Sequence, residues 1–240
     1  MNRAMLAAAT GMAAQQQNLE VIADNLANAD VVGFKSATAT FAGVGGSGML
    51  GTTQTGLRRS FEQGKLVESS GPFDLAIDGS GFFAVERDGR RGYTRAGEFA
   101  RSSDGRLRNS DGWDLTGLRV PASATTARVA PDGAVVVELP GGVRRTIGRI
   151  PLVAFDAPDR LRTIGSALFA ATAESGSPRT ARAGGDREPK IRFGMLERSN
   201  VSIIEGMLDI LTAQRAYEAN AKGVQAADEM QRIANNIQRS

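Results

Sequence analysis

Apolar residues recur every seven positions near the start of the chain, which indicates one long helix. Such a spacing places the side chains in a single stripe along the helix. The repeat and its offset position comprise Met5, Met12, Leu19, Ile22 and Leu26. From Arg3 to Asn28 this helix would measure about 39 Å at about 1.5 Å per residue, and its narrow apolar stripe requires a partner for stability.

The last segment carries the same repeat and predicts a second long helix. Its apolar positions are Ile203, Met207, Ile210, Leu211, Tyr217 and Val224. The polar residues between Ser199 and Ser202 supply side-chain oxygens that can cap the start of this helix. A change of phase, of the kind that locally alters the winding of a coiled coil, then follows at Met230, Ile233 and Ile237.

The middle of the chain has the pattern of an antiparallel β region. Its five Asp-Gly dipeptides, which are strong signals for tight turns between strands, begin at Asp78, Asp88, Asp104, Asp111 and Asp132. The runs between them are short and rich in β-branched and aromatic residues, as at 82–86 and 134–139. We predict an antiparallel β region over residues 70–195, either as one domain or as two that divide near Pro121.

These patterns together predict an α+β fold. The first helix occupies residues 1–35, the β region 70–195 and the last helix 196–240. Residues 36–69 read as a flexible connector, because much of this stretch consists of Ala, Gly, Ser and Thr. Each helix needs the other to bury its stripe, so we expect the long N- and C-terminal helices to pair as a coiled-coil-like stalk, with the antiparallel β domain between them in sequence.

Composition excludes most kinds of catalytic chemistry. The sequence contains no cysteine and no histidine. Disulfides, thiolate nucleophiles, the usual zinc sites and serine–histidine–aspartate triads are therefore absent. No run of about 18 apolar residues is present that would indicate a membrane span. We accordingly predict no catalytic, cofactor-binding or metal-binding residues and no small-molecule substrate.

The positive charge does not predict a nucleic-acid partner. The formal net charge is +3. The arginines occur singly or in pairs, such as Arg58 with Arg59 and Arg144 with Arg145, across predicted strands and turns. A nucleic-acid surface would group them on one face and add aromatic residues for stacking.

Two local patterns resemble functional sites but lack the required context. The run Gly43–Gly48 has the spacing G-x-G-x-x-G, yet no apolar strand precedes it and no helical pattern follows it, so we interpret it as a linker. Glu98 and Asp104 could form a catalytic carboxylate pair, which leaves a secreted cell-wall hydrolase as an alternative hypothesis. Their positions around a predicted turn favour a structural role.

The first helix is rich in carboxamides, namely Gln15, Gln16, Gln17, Asn18, Asn25 and Asn28. Two interpretations remain open. These side chains either form a solvated face, which is common for Gln and Asn, or bridge between neighbouring subunits, because buried amides need hydrogen-bond partners.

Three sequence blocks resemble the axial proteins of the bacterial flagellum, the family of rod and hook subunits. The first, at residues 18–35, contains the run Asn-Leu-Ala-Asn and ends in a Gly-Phe-Lys turn. The second comprises AIDGSGFFAV at 76–85 and YTRAGEF at 93–99. The third is SNVSIIEGMLDILTAQRAYEANAK at 199–222. The blocks follow the order of the family and extend over nearly the whole chain.

The resemblance implies a structural subunit of the flagellar basal-body rod that crosses the periplasm and transmits motor torque. It also implies export through the flagellar type III apparatus without a cleaved signal, and self-assembly with other rod or hook subunits into a helical tube lined by the terminal helices. The candidate subunit interface then comprises Met5, Met12, Leu19, Ile22, Asn25, Leu26, Asn28, Phe34, Ile203, Met207, Ile210, Leu211, Gln214, Tyr217 and Val224.

The position along the rod stays open between two subfamilies. The motifs at 14–28 and 214–218 are more similar to the distal rod proteins, whereas the chain length is closer to that of the proximal rod proteins. A different alternative is a secreted binding module on a coiled-coil stalk, which would not polymerise.

Overall fold

The computed structural model describes residues 3–45, 51–181, 183–184 and 188–237. Two long helices enclose a strand-rich middle in sequence, and a short 3-10 helix lies at Pro158–Arg160. The helices are α1 (Arg3–Ala27) and α2 (Ile203–Ile237). The strands are β1 (Ala37–Val44), β2 (Gly51–Arg59), β3 (Leu66–Glu68), β4 (Leu75–Asp78), β5 (Phe82–Arg87), β6 (Arg90–Thr94), β7 (Ala100–Arg101), β8 (Leu107–Arg108), β9 (Asp114–Leu115), β10 (Thr126–Val129), β11 (Ala134–Leu139), β12 (Val143–Arg149), β13 (Leu152–Ala154), β14 (Arg162–Gly165), β15 (Leu168–Ala170), β16 (Arg179–Ala181), β17 (Lys190–Phe193) and β18 (Met195–Glu197).

The chain divides into two compact units, each built from separate stretches of sequence. Unit 1 takes its described residues from Met1–Ala27, Ser36–Ser60 and Val201–Ser240, and unit 2 takes its own from Asn28–Lys35 and Phe61–Asn200. Unit 1 holds both helices, and unit 2 holds most of the strands. The predicted α+β fold with an antiparallel β region is confirmed.

In unit 1 the two helices pack against each other in antiparallel directions. A Cβ atom added to Gly206, near the start of α2, would lie 2.9 Å from Cδ2 of Leu26 at the end of α1. A Cβ added to Gly11 would lie 3.0 Å from Nδ2 of Asn220. Because glycine has no side chain, both positions allow a close approach of the helix backbones.

A two-stranded antiparallel hairpin of β1 and β2 completes unit 1, and it replaces the flexible connector that we expected over 36–69. The pairing runs from Ala37 opposite Arg59 to Val44 opposite Gly51, with a bulge after Thr40. The start of β1 alternates small buried residues with threonines, which is the period of a strand rather than of a linker. Threonine also favours strands.

Unit 2 is an antiparallel assembly of several small sheets around one larger sheet. The larger sheet has the order β14-β15-β6-β5-β9-β8-β7, and β13 joins it by pairing with β5 and β16. Strands β10, β11 and β12 form a separate meander, while β4 pairs with β17 and β3 with β18. The last two pairs bring residues near the C-terminal helix back to the start of the β region.

The predicted Asp-Gly turns occur where the pattern placed them. Four of the five dipeptides connect strands that pair with each other, and the fifth follows β4. Between β5 and β6, Asp88 and Gly89 have φ angles of 50° and 75°. Positive φ at both residues is what a two-residue type I′ hairpin requires.

Strand β5 lies at the centre of the hydrophobic core of unit 2. Phe83 and Val85 face the main apolar cluster, and Phe82 faces a second cluster that includes Tyr93 and Phe169. Both faces of the strand are therefore covered, which explains its continuous apolar run. In the second cluster the aromatic rings contact each other edge to face at centroid distances of 4.8 to 6.2 Å.

Gly97→Ala is expected to destabilise unit 2 strongly. A Cβ at this position would lie 1.6 Å from the carbonyl oxygen of Leu75, whose own amide donates to the Gly97 carbonyl at 3.0 Å. Backbone atoms cannot move aside without breaking this bond, so we expect a loss of about 3 kcal/mol in the free energy of unfolding. Gly148→Ala is the control, because its nearest atom is the flexible Leu118 Cδ1 at 3.3 Å. Urea denaturation compares them, and equal losses would contradict the prediction.

Candidate assembly interface

Helix α2 exposes an apolar face to solvent. Its members, here called the α2 apolar face, are Ile203, Ile204, Met207, Leu208, Leu211, Tyr217, Met230 and Ile233. Ile204 is 75% exposed and Leu208 is 59% exposed. The first five members recur at spacings of one, three and four residues, which places them on one side of the helix. Exposed apolar residues grouped in this way make the face a candidate interaction surface.

The opposite side of α2 faces α1 and includes a row of small or short side chains. Gly206 and Asn220 approach α1 closely, and Ala213 and Ala227 are buried. These four positions are seven residues apart, so they form one row along the helix. The row admits α1 at close range, while the exposed large apolar side chains of α2 lie away from it. Sequence reasoning followed the large residues and missed this row of small ones.

The predicted interface residues separate into three groups by exposure. Those exposed are Ile203, Met207, Leu211, Gln214 and Tyr217. Those partly buried are Met5, Met12, Leu19, Asn25, Leu26, Asn28, Ile210 and Val224. Ile22 and Phe34 are buried, at 7% and 1% exposure, so neither side chain belongs to an exposed surface of the chain.

Asn25 has a role inside the chain that neither interpretation of the carboxamides included. Its Nδ2 donates to the carbonyl of Ala37 at 2.7 Å, and its Oδ1 accepts from the amide of Ala37 at 2.8 Å. One side chain therefore satisfies both backbone groups of the first residue of β1. Gln16 and Gln17 are exposed, in keeping with a solvated face.

Unit 2 contains a buried cluster of three charged side chains. Lys35 and Glu197 have no solvent exposure, and Arg95 has 3%. Lys35 Nζ donates to Glu197 Oε1 at 2.6 Å and to the carbonyl of Glu62 at 2.6 Å. The amide of Gly64 donates to the same Oε1 at 2.9 Å. A buried ion pair requires such additional hydrogen bonds to offset desolvation.

Arg95 links this cluster to the larger sheet. Its Nη1 donates to the carbonyls of Gly79 and Gly81, both at 2.8 Å. Its Nε lies 2.9 Å from Glu197 Oε2, although the two atoms form no hydrogen bond in the described part of the chain, so this contact is mainly an attraction of charges. Two cations share one carboxylate, and burial is the largest influence on the Lys35 amine, lowering its pKa.

The turn before Lys35 brings the backbone into contact with Glu197. Gly33 has a φ of 68°, and its amide donates to the Glu197 carbonyl at 2.7 Å. A Cβ at Gly33 would lie 2.3 Å from the amide nitrogen of Ala96. Only glycine fits this conformation and this spacing. The Gly-Phe-Lys turn and the Tyr-Thr-Arg segment, noted in the sequence only as separate motifs, are therefore neighbours in unit 2.

The residues considered for catalysis lack the expected features. Glu98 and Asp104 are both exposed. Hydrogen bonding from Ser102 lowers the pKa of the Asp104 carboxyl, whereas a general acid needs a raised pKa. No group of acidic residues that could hold a metal occurs among the described residues.

Gly46 and Gly48 of the glycine run lie outside the described residues. Within the described ranges, neither helix has the length and apolar character to cross a membrane.

Three family models match the chain in order. Residues 5–35 match the model described as "Flagella basal body rod protein", 76–137 match "Flagellar hook protein FlgE/F/G D1 domain", and 193–237 match "Flagellar basal body rod FlgEFG protein C-terminal". The matched segments contain nearly all of α1 with the Gly-Phe-Lys turn, the central strands and all of α2.

Curated relatives extend over the same length. The flagellar basal-body rod protein FlgG of Borreliella burgdorferi is 36% identical, and the alignment covers 100% of both chains. The flagellar basal-body rod protein FlgF of Caulobacter vibrioides is 31% identical, with 91% of each chain covered. A solved structure of the Helicobacter pylori flagellar hook protein FlgE2 covers 68% of this chain and 34% of its own at 17% identity, but its TM-score of 0.25 is too low to support a structural argument.

Asn25→Ala is expected to lower the stability of unit 1. The substitution removes both hydrogen bonds to Ala37 and leaves partly buried backbone groups unsatisfied, which costs about 1 to 3 kcal/mol. Gln17→Ala on the same helix is the control, because Gln17 is exposed and alanine favours helices. Thermal unfolding followed by circular dichroism measures both, and an unchanged midpoint for Asn25→Ala would refute the assigned role.

Glu197→Gln is expected to destabilise unit 2 by about 3 to 5 kcal/mol, because it removes the buried carboxylate that Lys35 and Arg95 share. Glu98→Gln is the matched control, since Glu98 is exposed in the same unit. Denaturant unfolding with a fluorescence readout from Trp113, which packs on the core of unit 2, compares the two. Similar stabilities for both variants would show that the buried carboxylate contributes little.

Proposed function

The chain belongs to the family of flagellar basal-body rod and hook proteins, and from this premise we propose that its terminal helices form the polymerisation surface of a rod subunit. It is a FlgG-like structural subunit of the distal rod, located in the flagellar basal body. It assembles with other rod or hook subunits. The proximal rod protein FlgF is the more distant of the two relatives compared.

The α2 apolar face is the observation that carries the polymerisation proposal. A fully buried large apolar side chain contributes about 1.5 to 3 kcal/mol, so covering the exposed half of each member would contribute about 1 kcal/mol. Eight such side chains together contribute about 8 kcal/mol, which falls within the range of about 4 to 15 kcal/mol given for the cost of association. A single contact of this kind is weak, and stable assembly requires contacts with several neighbours.

We propose that the paired helices act as a coiled-coil-like stalk within a helical tube. Residues on the outer side of α2, with the partly buried Met5 and Met12 of α1, would contact neighbouring subunits. Torque then passes through many packed side chains, each of which bears a small share of the shear. Family membership also supports delivery through the flagellar type III export apparatus.

We further propose that the role is structural and not catalytic. The relatives compared are rod proteins, and the carboxylates considered for a hydrolase are exposed and, at Asp104, shifted away from the pKa of a general acid. Cell-wall hydrolysis by the purified protein, lost on substitution of Glu98 or Asp104, would overturn this part of the proposal.

Replacing Ile204 and Leu208 together by serine is expected to abolish rod formation without unfolding the subunit. Both side chains are more than half exposed, so the monomer loses little burial, whereas an interface loses its apolar contacts. In a bacterium that lacks its own copy of the gene, electron microscopy of basal bodies and a swimming assay measure the result. Circular dichroism of the purified variant verifies the helices.

The control for this experiment is the pair Ile204→Leu and Leu208→Met, which keeps the apolar character and about the same volume. We expect normal rods and normal swimming from the control. Normal rods from the serine variant would show that the α2 apolar face is not the assembly surface.

A further inference from the structure

Three short segments of unit 2 lead into unit 1, namely the first segment at residues 28–35, the second at 61–64 and the third at 197–200. The chain passes between the units at both ends of residues 28–35, before Phe61 and after Asn200. Any force that reaches one unit through the covalent backbone therefore enters the other at these segments. Their fixation on unit 2 depends on what they contact there.

All three segments meet at the carboxylate of Glu197. The first segment ends in Lys35, whose Nζ lies 2.6 Å from Glu197 Oε1. The second segment contributes the amide of Gly64, which donates to the same oxygen at 2.9 Å. The third segment contains Glu197 itself, three residues before its end. Arg95 then holds the other carboxylate oxygen from the side of the larger sheet.

Backbone hydrogen bonds follow the same three segments. The Gly33 amide donates to the Glu197 carbonyl at 2.7 Å, and the Asn200 amide donates to the Phe34 carbonyl at 3.4 Å. The Glu62 carbonyl of the second segment accepts from Lys35 Nζ and from Asn200 Nδ2 at 3.2 Å. Each segment is thus bonded to both of the others.

We propose that Glu197 is a positioning residue for rod assembly, whose carboxylate fixes the three segments from which the chain enters unit 1. The inference rests on the proposed function. It adds that assembly into rods depends on the fixation of these segments by Glu197. Replacing a buried ion pair by apolar residues of similar volume is often neutral or stabilising, so stability alone does not explain this cluster. Hydrogen bonds are directional, so they fix the position in space of the end of each segment. Apolar contacts lack this directionality.

The decisive variant is Lys35→Met in the full chain. Methionine keeps an unbranched apolar side chain, and removing one of two cations leaves Glu197 with Arg95 and the Gly64 amide, so the buried charges balance. The core of unit 2 therefore stays folded, while the first segment loses its bonds to Glu197 and to the Glu62 carbonyl. Hydrogen exchange followed by NMR reports each backbone amide separately.

We expect the amides of Gly33 and Asn200 to exchange about tenfold faster in this variant, because losing a hydrogen bond to a charged group shifts a local opening equilibrium by at least that factor. The amides of β5 and β6 are expected to keep their rates. In cells that lack their own copy, the variant is expected to lose incorporation into rods although the purified protein remains folded.

Arg198→Ala is the matched control. Arg198 lies beside Glu197, but its ion pair with Asp30 is exposed, with an Nη2–Oδ1 distance of 2.6 Å. An exposed pair contributes little, so neither the exchange rates nor the rods should change.

The outcomes separate this inference from the proposed function. Unchanged exchange at Gly33 and Asn200 in Lys35→Met would overturn the inference, as would faster exchange in β5 and β6, which indicates general destabilisation. Faster exchange at the two amides with normal rods would show that fixation of the segments is unimportant for assembly, and the rod proposal would stand. Failure of the unmodified chain to enter rods would overturn the proposed function itself.

Discussion

The close packing of α1 against a row of small side chains on α2 determines which side of α2 is buried and which side stays exposed. Gly206, Ala213, Asn220 and Ala227 occupy the side that meets α1. Large apolar side chains at these four positions would hold the two helices further apart. The helix pair is therefore closely packed along the row that meets α1, but it keeps exposed apolar side chains on the outer side of α2. A subunit that assembles through its helices needs such exposed apolar side chains. A helix pair that buried all of them internally would have no apolar surface for contact with a neighbouring subunit.

A different kind of interaction governs unit 2, where the chain must be held at defined points. Apolar packing supplies most of its stability through the clusters around Phe83 and Phe82. The Lys35–Glu197–Arg95 cluster adds direction, because the carboxylate accepts from Lys35 Nζ and from a backbone amide in one geometry. The Gly-Phe-Lys turn, Arg95 and Glu197 lie far apart in sequence but form one structural feature.

Periodic and local features of the fold could be predicted from the sequence, and contacts between distant residues could not. The seven-residue repeats predicted both helices, and the Asp-Gly dipeptides predicted the turns, because each signal lies within a few residues. The hairpin at 37–59 was missed because its Ala, Gly and Thr composition also fits a linker. Lys35 and Glu197 are 162 positions apart, and nothing local to either residue indicates that they share a buried site. The side of α2 that meets α1 was not predicted, since the large residues marked the helix but not the row of small ones.

The charges beside the α2 apolar face bear on the kind of contact it can make. Glu205 and Asp209 lie within the stretch from Ile203 to Leu211, which contains no basic residue. A twofold contact between the same stretch of two copies would bring these carboxylates together, and like charges at an interface oppose association. Contact with a different surface of the neighbouring copy avoids this repulsion. Such head-to-tail contacts, when their rotation does not close, generate open helical polymers, which is the form that a rod requires.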